Sequence, residues 1–321
     1  MRYRKLGRYG IKLSEISLGG WLTHGRTLAD DQVAAIVRSA FDLGINFFDT
    51  ADVYNKGAAE IALGKAIRSF RREDIVIGTK CFFAMSDNPN DRGLSRKHIF
   101  ESVHASLSRI GVEYVDLMQF HRFDLETPLD ETIRAIEDLI RQGKVLYWGV
   151  SEWTASQITD ACHIARTLGC CPPISNQPLY NLQTRRIESE VMGVCHREGL
   201  GLVVFSPLAQ GVLTGKYRPG EPPPPGSRGA DESSNVFMVK SLEDKVLEAV
   251  RQVGDLASQA GCTLAQFALA WCLRRPEVTS AIVGATSVEQ LQENAKASGL
   301  EIHPALFAKA EAVFDEALGT A

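Results

Sequence analysis

The stretch "FDLGINFFD" (residues 41–49) ends a helical pattern at Phe41–Leu43, turns at Gly44 and enters a short apolar run that stops on Asp49. A glycine after a helical segment is the usual left-handed stop, and the apolar run behind it has the length of a buried strand. A buried strand ending on a carboxylate requires a partner for that charge, because an unpaired buried charge is very costly. Five residues on, in "FFDTADVY" (47–54), stands Tyr54. The strand therefore predicts both a neighbour that supplies a cation and a loop that carries a phenol to the same place.

Working outward, the same unit recurs: a short apolar run, a polar loop, then a helical segment. The runs are "SEISLGG" (14–20), "NFFD" (46–49), "DIVIGTK" (74–80), "VDLMQFH" (115–121), "VLYWGVS" (145–151), "PISNQ" (173–177), "LGLVVFSP" (200–207) and "SAIVGA" (280–285). Helical spacing of apolar residues marks "DDQVAAIVRSAFDLG" (30–44) and "SRKHIFESVHASLSRIG" (95–111). "TASQ" (154–157) and "SVEQ" (287–290) read as capping boxes. Strands alternating with helices pair in parallel, and near-continuously apolar strands are covered on both faces. Eight such units predict an α/β fold, a (β/α)8 TIM barrel, in a single domain over 1–321. "RYRKLGRYGIKL" (2–13) predicts a β-hairpin ahead of it. No G-x-G-x-x-G fingerprint argues for an open dinucleotide-binding sheet.

Residues 209–239, after the seventh strand, are rich in Pro, Gly and Ser and fit no regular element. A linker to a second domain is one reading. Only one strand–helix unit follows, however, and a long loop inside a domain is usually functional, so a lid over the barrel mouth is the favoured reading.

The 321 residues carry a net charge of −4 with no basic stripe, which argues against a nucleic-acid partner. No apolar run approaches the roughly 18 residues of a membrane span. Seven cysteines without metal-ligand spacing fit a reducing, cytoplasmic setting, and the pair Cys170–Cys171 reads as buried packing.

Barrel chemistry sits where the strands end. Those ends supply Trp21, Asp49 with Tyr54, Lys80, His121, Ser151, Asn176 with Gln177, Ser206, and Gly284 with Thr286. Lys80 ends the strand next to that of Asp49, so the two form the expected buried pair. A lysine beside the Tyr54 phenol stabilises the phenolate and is expected to lower its pKa, as suits a general acid working near neutral pH. His121 is placed to donate to the same substrate oxygen. Trp21, His24, Phe82, Phe83, Phe123 and Trp153 follow strand ends and are candidates for an apolar pocket wall.

The stretches "FDTADVY", "GAAEIALGKAI" (57–67), "IVIGTK", "DLMQFHRFD", "GKVLYWGVSEW" (143–153), "SNQPLYNL" (175–182), "FSPLAQGVLTGKY" (205–217) and "GATSVEQLQEN" (284–294) resemble the aldo-keto reductase superfamily over almost the whole chain. The last two look most like the branch that contains potassium-channel β subunits and their bacterial relatives. The resemblance implies NADPH, with NADH weaker, and reduction of an aldehyde or ketone through Asp49, Tyr54, Lys80 and His121. It implies that Ser151 and Gln177 hold the nicotinamide carboxamide with Asn176 nearby, that Phe205 stacks beneath the ring, and that Trp21 lies beside it. Ser206, Leu208, Gly211, Lys216 and Arg228 would flank the pyrophosphate, and Gly284, Thr286, Gln290, Glu293 and Asn294 the adenosine end. That last site is a helix N-terminus, which favours phosphate. Gln290 has a second possible use as the capping partner of Ser287.

Three departures stand out. Glu152 follows Ser151 where many members have Asn; "ATSVEQ" lacks a basic residue for the 2′-phosphate; and His121 stands where the channel subunits generally have Asn. The implied function is an NADPH-dependent carbonyl reductase acting on a small-molecule substrate. A cofactor-binding accessory subunit and a sugar-phosphate isomerase on the same fold are the competing readings. Monomer and homotetramer both fit.

Overall fold

In the computed structural model, which describes residues 1–21, 23–231, 235 and 238–319, Tyr3–Lys5 (β1) and Lys12–Ser14 (β2) pair antiparallel with Tyr3 opposite Ser14. The predicted hairpin is present, and its Leu6 and Leu13 are fully buried against Phe47, Leu117, Ile174, Val203 and Ile282. It closes the end at which the barrel strands begin. Arg4 fixes it there by donating to the carbonyls of Leu273 and Val278 while pairing with Glu15 at 2.8 Å.

The barrel strands are Ile16–Gly19 (β3), Phe47–Asp49 (β4), Val76–Cys81 (β5), Val115–Phe120 (β6), Val145–Ser151 (β7), Ser175–Gln177 (β8), Gly201–Val204 (β9) and Val278–Val283 (β10). They form a closed barrel in the order β10-β3-β4-β5-β6-β7-β8-β9, every pair parallel. This is the (β/α)8 TIM barrel that the eight repeated units predict.

Helices Asp30–Asp42 (α1), Ala58–Ile67 (α2), Arg96–Ile110 (α3), Leu129–Arg141 (α4), Ala155–Thr167 (α5) and Val191–Glu198 (α6) follow successive strands. Their ends obey local chemistry. Ser95 caps α3 by accepting from the His98 N–H, Gly111 stops it at φ 78°, and Thr154 with Gln157 forms a full capping box. Two helices, Asp244–Gln259 (α7) and Leu264–Leu273 (α8), precede β10, and Val288–Ala295 (α9) and Pro304–Leu318 (α10) follow it. Among the described residues no single helix is long and apolar enough to cross a membrane.

Inward-facing side chains alternate along each strand with outward-facing ones. Phe47 and Asp49, Gly78 and Lys80, Leu117 and Gln119, Ser175 and Gln177 share the inward phase, so each of these four strands offers an apolar or small residue below and a polar one at the mouth. Gly78 is required by this packing: a Cβ there would lie 2.8 Å from the Phe47 ring. Of the adjacent cysteines, Cys170 is half-buried and Cys171 exposed, correcting the expectation of buried packing, because both lie in the loop leaving α5 rather than on an inner face.

Candidate active site

Lys80 is fully buried on β5, and its Nζ donates to Asp49 Oδ2 at 2.6 Å and to the Thr50 carbonyl at 2.8 Å. The expected pair is present, and β4 and β5 are neighbours with Asp49 opposite Gly78. The second carboxylate oxygen is also used: Gln177 Nε2, on β8 across the barrel, donates to Asp49 Oδ1 at 2.9 Å. Gln177 is thus held by Asp49, and Ser151 Oγ donates to the Gln177 carbonyl at 2.8 Å.

Tyr54 opens a one-turn helix, Tyr54–Gly57, whose next residues Asn55 and Lys56 are left-handed at φ 50° and 51°. Two consecutive non-glycine residues in that region store strain, which is characteristic of functional loops. The turn brings the Tyr54 ring centroid to 4.8 Å from Lys80 Nζ and to 5.7 Å from the His121 ring, edge-on. Burial raises the Tyr54 pKa above its ordinary 10.0, with Lys80 pulling it back down only in part. This reverses the expected direction: loss of solvation around the phenolate outweighs the single nearby cation, which is itself neutralised by Asp49. Lys80 is raised, burial being outweighed by Asp49 and Tyr54. His121 is pushed well below 6.5 by burial and then by Lys80 and Arg122. The site therefore holds a neutral phenol, a charged lysine and a neutral imidazole whose Nδ1 has no hydrogen-bond partner among the described residues.

The remaining expected residues fall into three groups. Around the mouth, Trp21 lies 6.5 Å from Tyr54, Phe83 is edge-on to His121 at 4.9 Å, and Phe82 is edge-on to Phe83 at 5.2 Å. Phe123 is half-buried against Trp153 at 4.7 Å. Trp153 and His24 are each 2% exposed, so neither presents open surface at the mouth. His24 is neutral, its pKa lowered to about 4 by burial.

Along the segment after β9, Ser206, Ala209, Gln210 and Gly211 have φ of 51°, 46°, 58° and 95°. The Ala209 and Gly211 N–H groups donate to the Ser206 and Leu208 carbonyls, so the segment is tightly turned on itself. Phe205 bridges to Leu179, and Leu208 is half-buried at the head of this run. Lys216 and Arg228 come from the same segment, and neither makes an ion pair among the described residues. The Arg228 guanidinium lies 5.7 Å from the Trp21 ring, so the segment reaches the loop after β3.

Beyond β10, Gly284 leads to Thr286, whose N–H and hydroxyl both donate to Gln290 Oε1. Ser287 caps α9, but Gln290 turns to Thr286, so the expected reciprocal box is only half formed. Glu293 accepts from Gln266 at 2.9 Å and pairs with Lys296, and Asn294 is buried beside them. Asn176 is out of phase with Ser175 and Gln177. It is fully buried in the helix layer beside Cys195 and is corrected out of the mouth.

Residues 15–314 match the model of the aldo/keto reductase family. The chain belongs to the aldo/keto reductase family. That family comprises oxidoreductases that generally use NADPH. Among the similar proteins, a probable voltage-gated potassium channel subunit beta of Oryza sativa subsp. japonica is 45% identical over 95% of this chain and 93% of its own. The like-named protein of Arabidopsis thaliana is 46% identical over 92% and 91%, and a putative one of Schizosaccharomyces pombe is 44% identical over 92% and 87%.

Behind the candidate site lies a layer the sequence reading missed. Asp52 accepts from Ser102 Oγ at 2.9 Å and from the Val53 N–H at 2.6 Å. Glu60, fully buried, accepts from Thr79 Oγ1 at 2.6 Å and pairs with Arg109 at 2.5 Å. These bonds tie the loop that carries Tyr54 and the strand that carries Lys80 to α2 and α3. A buried acid at Glu60 inside the apolar run "EIAL" was the available signal. Glu152, at φ 59°, swings away from Ser151 to accept from the Leu179 N–H at 2.6 Å and to pair with Arg186.

Proposed function

We propose that the chain is an NADP-dependent carbonyl reductase, converting aldehydes or ketones to alcohols. The observation that carries this reading is the convergence of Tyr54 and His121 on Lys80, itself locked by Asp49 and Gln177. NADPH, when bound, supplies the hydride that adds to the carbonyl carbon. Tyr54 then delivers its phenolic proton to the carbonyl oxygen, completing the alcohol, and takes a proton back from solvent. Lys80 stabilises the phenolate formed in that step, and Asp49 keeps Lys80 charged in a site that burial would otherwise neutralise. His121, neutral, orients the carbonyl by a hydrogen bond that strengthens as charge builds on the oxygen.

The donor set suits a dinucleotide phosphate. Lys216 and Arg228 bring to this tightly turned segment two cations that have no carboxylate partner among the described residues. Ser151 and Gln177 would hold the carboxamide, Phe205 and Trp21 would border the ring, and Ser206, Leu208 and Gly211 would line the pyrophosphate. Thr286, Gln290, Glu293 and Asn294 would surround the adenosine end. The segment 209–239, of which 232–234, 236 and 237 lie outside the described residues, would close over the bound cofactor.

The test is loss of NADPH absorbance in the presence of 4-nitrobenzaldehyde, with Tyr54→Phe as control. Turnover should fall about 10²–10⁴-fold in the variant, while NADPH still quenches tryptophan fluorescence. A second reading rests on the relatives' printed names: an accessory subunit that binds the cofactor and serves a partner. Tight NADPH binding with no carbonyl reduced by the unmodified protein would favour it.

A further inference from the structure

Arg122, the neighbour of His121, is absent from every role assigned above. Its guanidinium carbon lies 5.6 Å from the Phe83 ring centroid, and Phe83 is edge-on to His121. The three side chains run in sequence outward from the proton-donating centre. Phe83, 36% exposed, is the most open of the aromatic residues along this wall. Arg122 is half-buried, and its Nη1 donates to the His121 carbonyl. It forms no ion pair among the described residues. Glu152, the acid whose field it feels, is committed to Arg186 and to the Leu179 N–H. Lys80 is balanced by Asp49 in the same way. Arg122 is therefore a half-buried guanidinium beside the aromatic wall, with no carboxylate at ion-pair distance among the described residues and within electrostatic reach of Tyr54. Two further cations without an ion pair among the described residues, Lys216 and Arg228, stand on the segment after β9.

A guanidinium offers a planar fork of donors that matches a carboxylate, and half-burial against an aromatic wall strengthens that contact over the same contact in water. We propose that Arg122 binds a carboxylate on the substrate, so that the preferred substrates are aldehydes or ketones bearing a carboxylate on an aromatic or short aliphatic frame. The inference rests on the carbonyl-reductase reading and names its substrate class. Arg122 is a specificity residue here: it takes no part in hydride or proton transfer, and it fixes the distance from the carboxylate to the carbonyl that points at Tyr54.

The experiment compares 2-, 3- and 4-carboxybenzaldehyde with the matching nitrobenzaldehydes, which keep shape and lose the charge. The ratio of kcat/KM, carboxyl over nitro, is measured for the NADPH-loaded wild type, Arg122→Met and Arg122→Lys. Met retains the aliphatic packing on Phe83. For at least one isomer the ratio should fall about 10–100-fold in the Met variant, chiefly through KM, and recover in part in the Lys variant. An unchanged ratio for all three isomers overturns the proposal. Should the wild type reduce none of these aldehydes, the reductase reading fails separately. The anion site is then judged by calorimetry of benzoate on the NADP-loaded protein: weaker binding in Arg122→Met supports it, and equal binding overturns it.

Discussion

Gln177 Nε2 stands 2.9 Å from Asp49 Oδ1, across the barrel mouth from β8 to β4, while Lys80 holds the other oxygen of the same carboxylate. The carboxylate is thereby fixed from both sides before any ligand arrives. Gln177→Leu removes the second donor and leaves a buried acceptor unpaired. The folded state should lose about 1–3 kcal/mol, read as a lower urea midpoint at unchanged slope. An unshifted midpoint would mean that water replaces the amide.

The buried pair itself can be taken apart in two ways. Lys80→Met leaves Asp49 unbalanced and should cost about 3–5 kcal/mol of stability together with most of the turnover. Adding Asp49→Leu removes the stranded charge, so stability should return while turnover does not. Recovery of turnover in the double variant would separate the pair from catalysis.

The pH dependence follows from the direction of the Tyr54 shift. Reduction needs the protonated phenol, and the protonated fraction falls only as pH rises through a pKa that burial holds above the ordinary 10.0. His121 titrates well below 6.5 and adds no limb above that. With NADPH saturating, kcat for reduction should stay level from about pH 7 to about pH 9. A falling limb inside that range would show that the phenol is acidified instead.

Cofactor preference should respond to the loop after β10. Thr286 is exposed and its hydroxyl donates to Gln290. Thr286→Arg should tighten NADPH over NADH by about 1.5–3 kcal/mol, before desolvation costs, through a charge-assisted bond to the 2′-phosphate. Equal tightening of both cofactors in a titration would place that phosphate elsewhere.

Asp52 offers a stability test away from the reacting groups. Burial raises its pKa to about 7 against an ordinary 3.8, even though Ser102 and Val53 donate to it. A raised carboxylate pKa means that the group's stabilising contribution is complete below 3.8 and is lost as pH rises through about 7. Asp52→Asn should therefore stabilise the protein by roughly 2–4 kcal/mol at about pH 8, with the gain shrinking toward about pH 4. A melting-temperature difference that stays constant across that range would locate the titration in another residue.

What the sequence determined by itself is what short-range chemistry writes into it. The eight apolar runs, their helical partners, Gly111 as a stop and Thr154 as a cap are local patterns, and together they leave the parallel barrel as the closed solution. Asp49 at the end of a buried strand demanded a cation, and a neighbouring strand ended on Lys80. The tertiary structure alone decided matters that depend on phase, distance or total burial. Asn176 is turned to the helix layer because it sits one residue out of step with Gln177, and a period of two admits no compromise. The bond from Gln177 to Asp49 joins residues 128 apart, and nothing local to either encodes it. The Tyr54 pKa rises because desolvation sums over every group around the ring, whereas the sequence shows only the nearest lysine. Glu152, at a left-handed φ, forms its ion pair with Arg186, 34 residues away, a partnering that only the fold brings together.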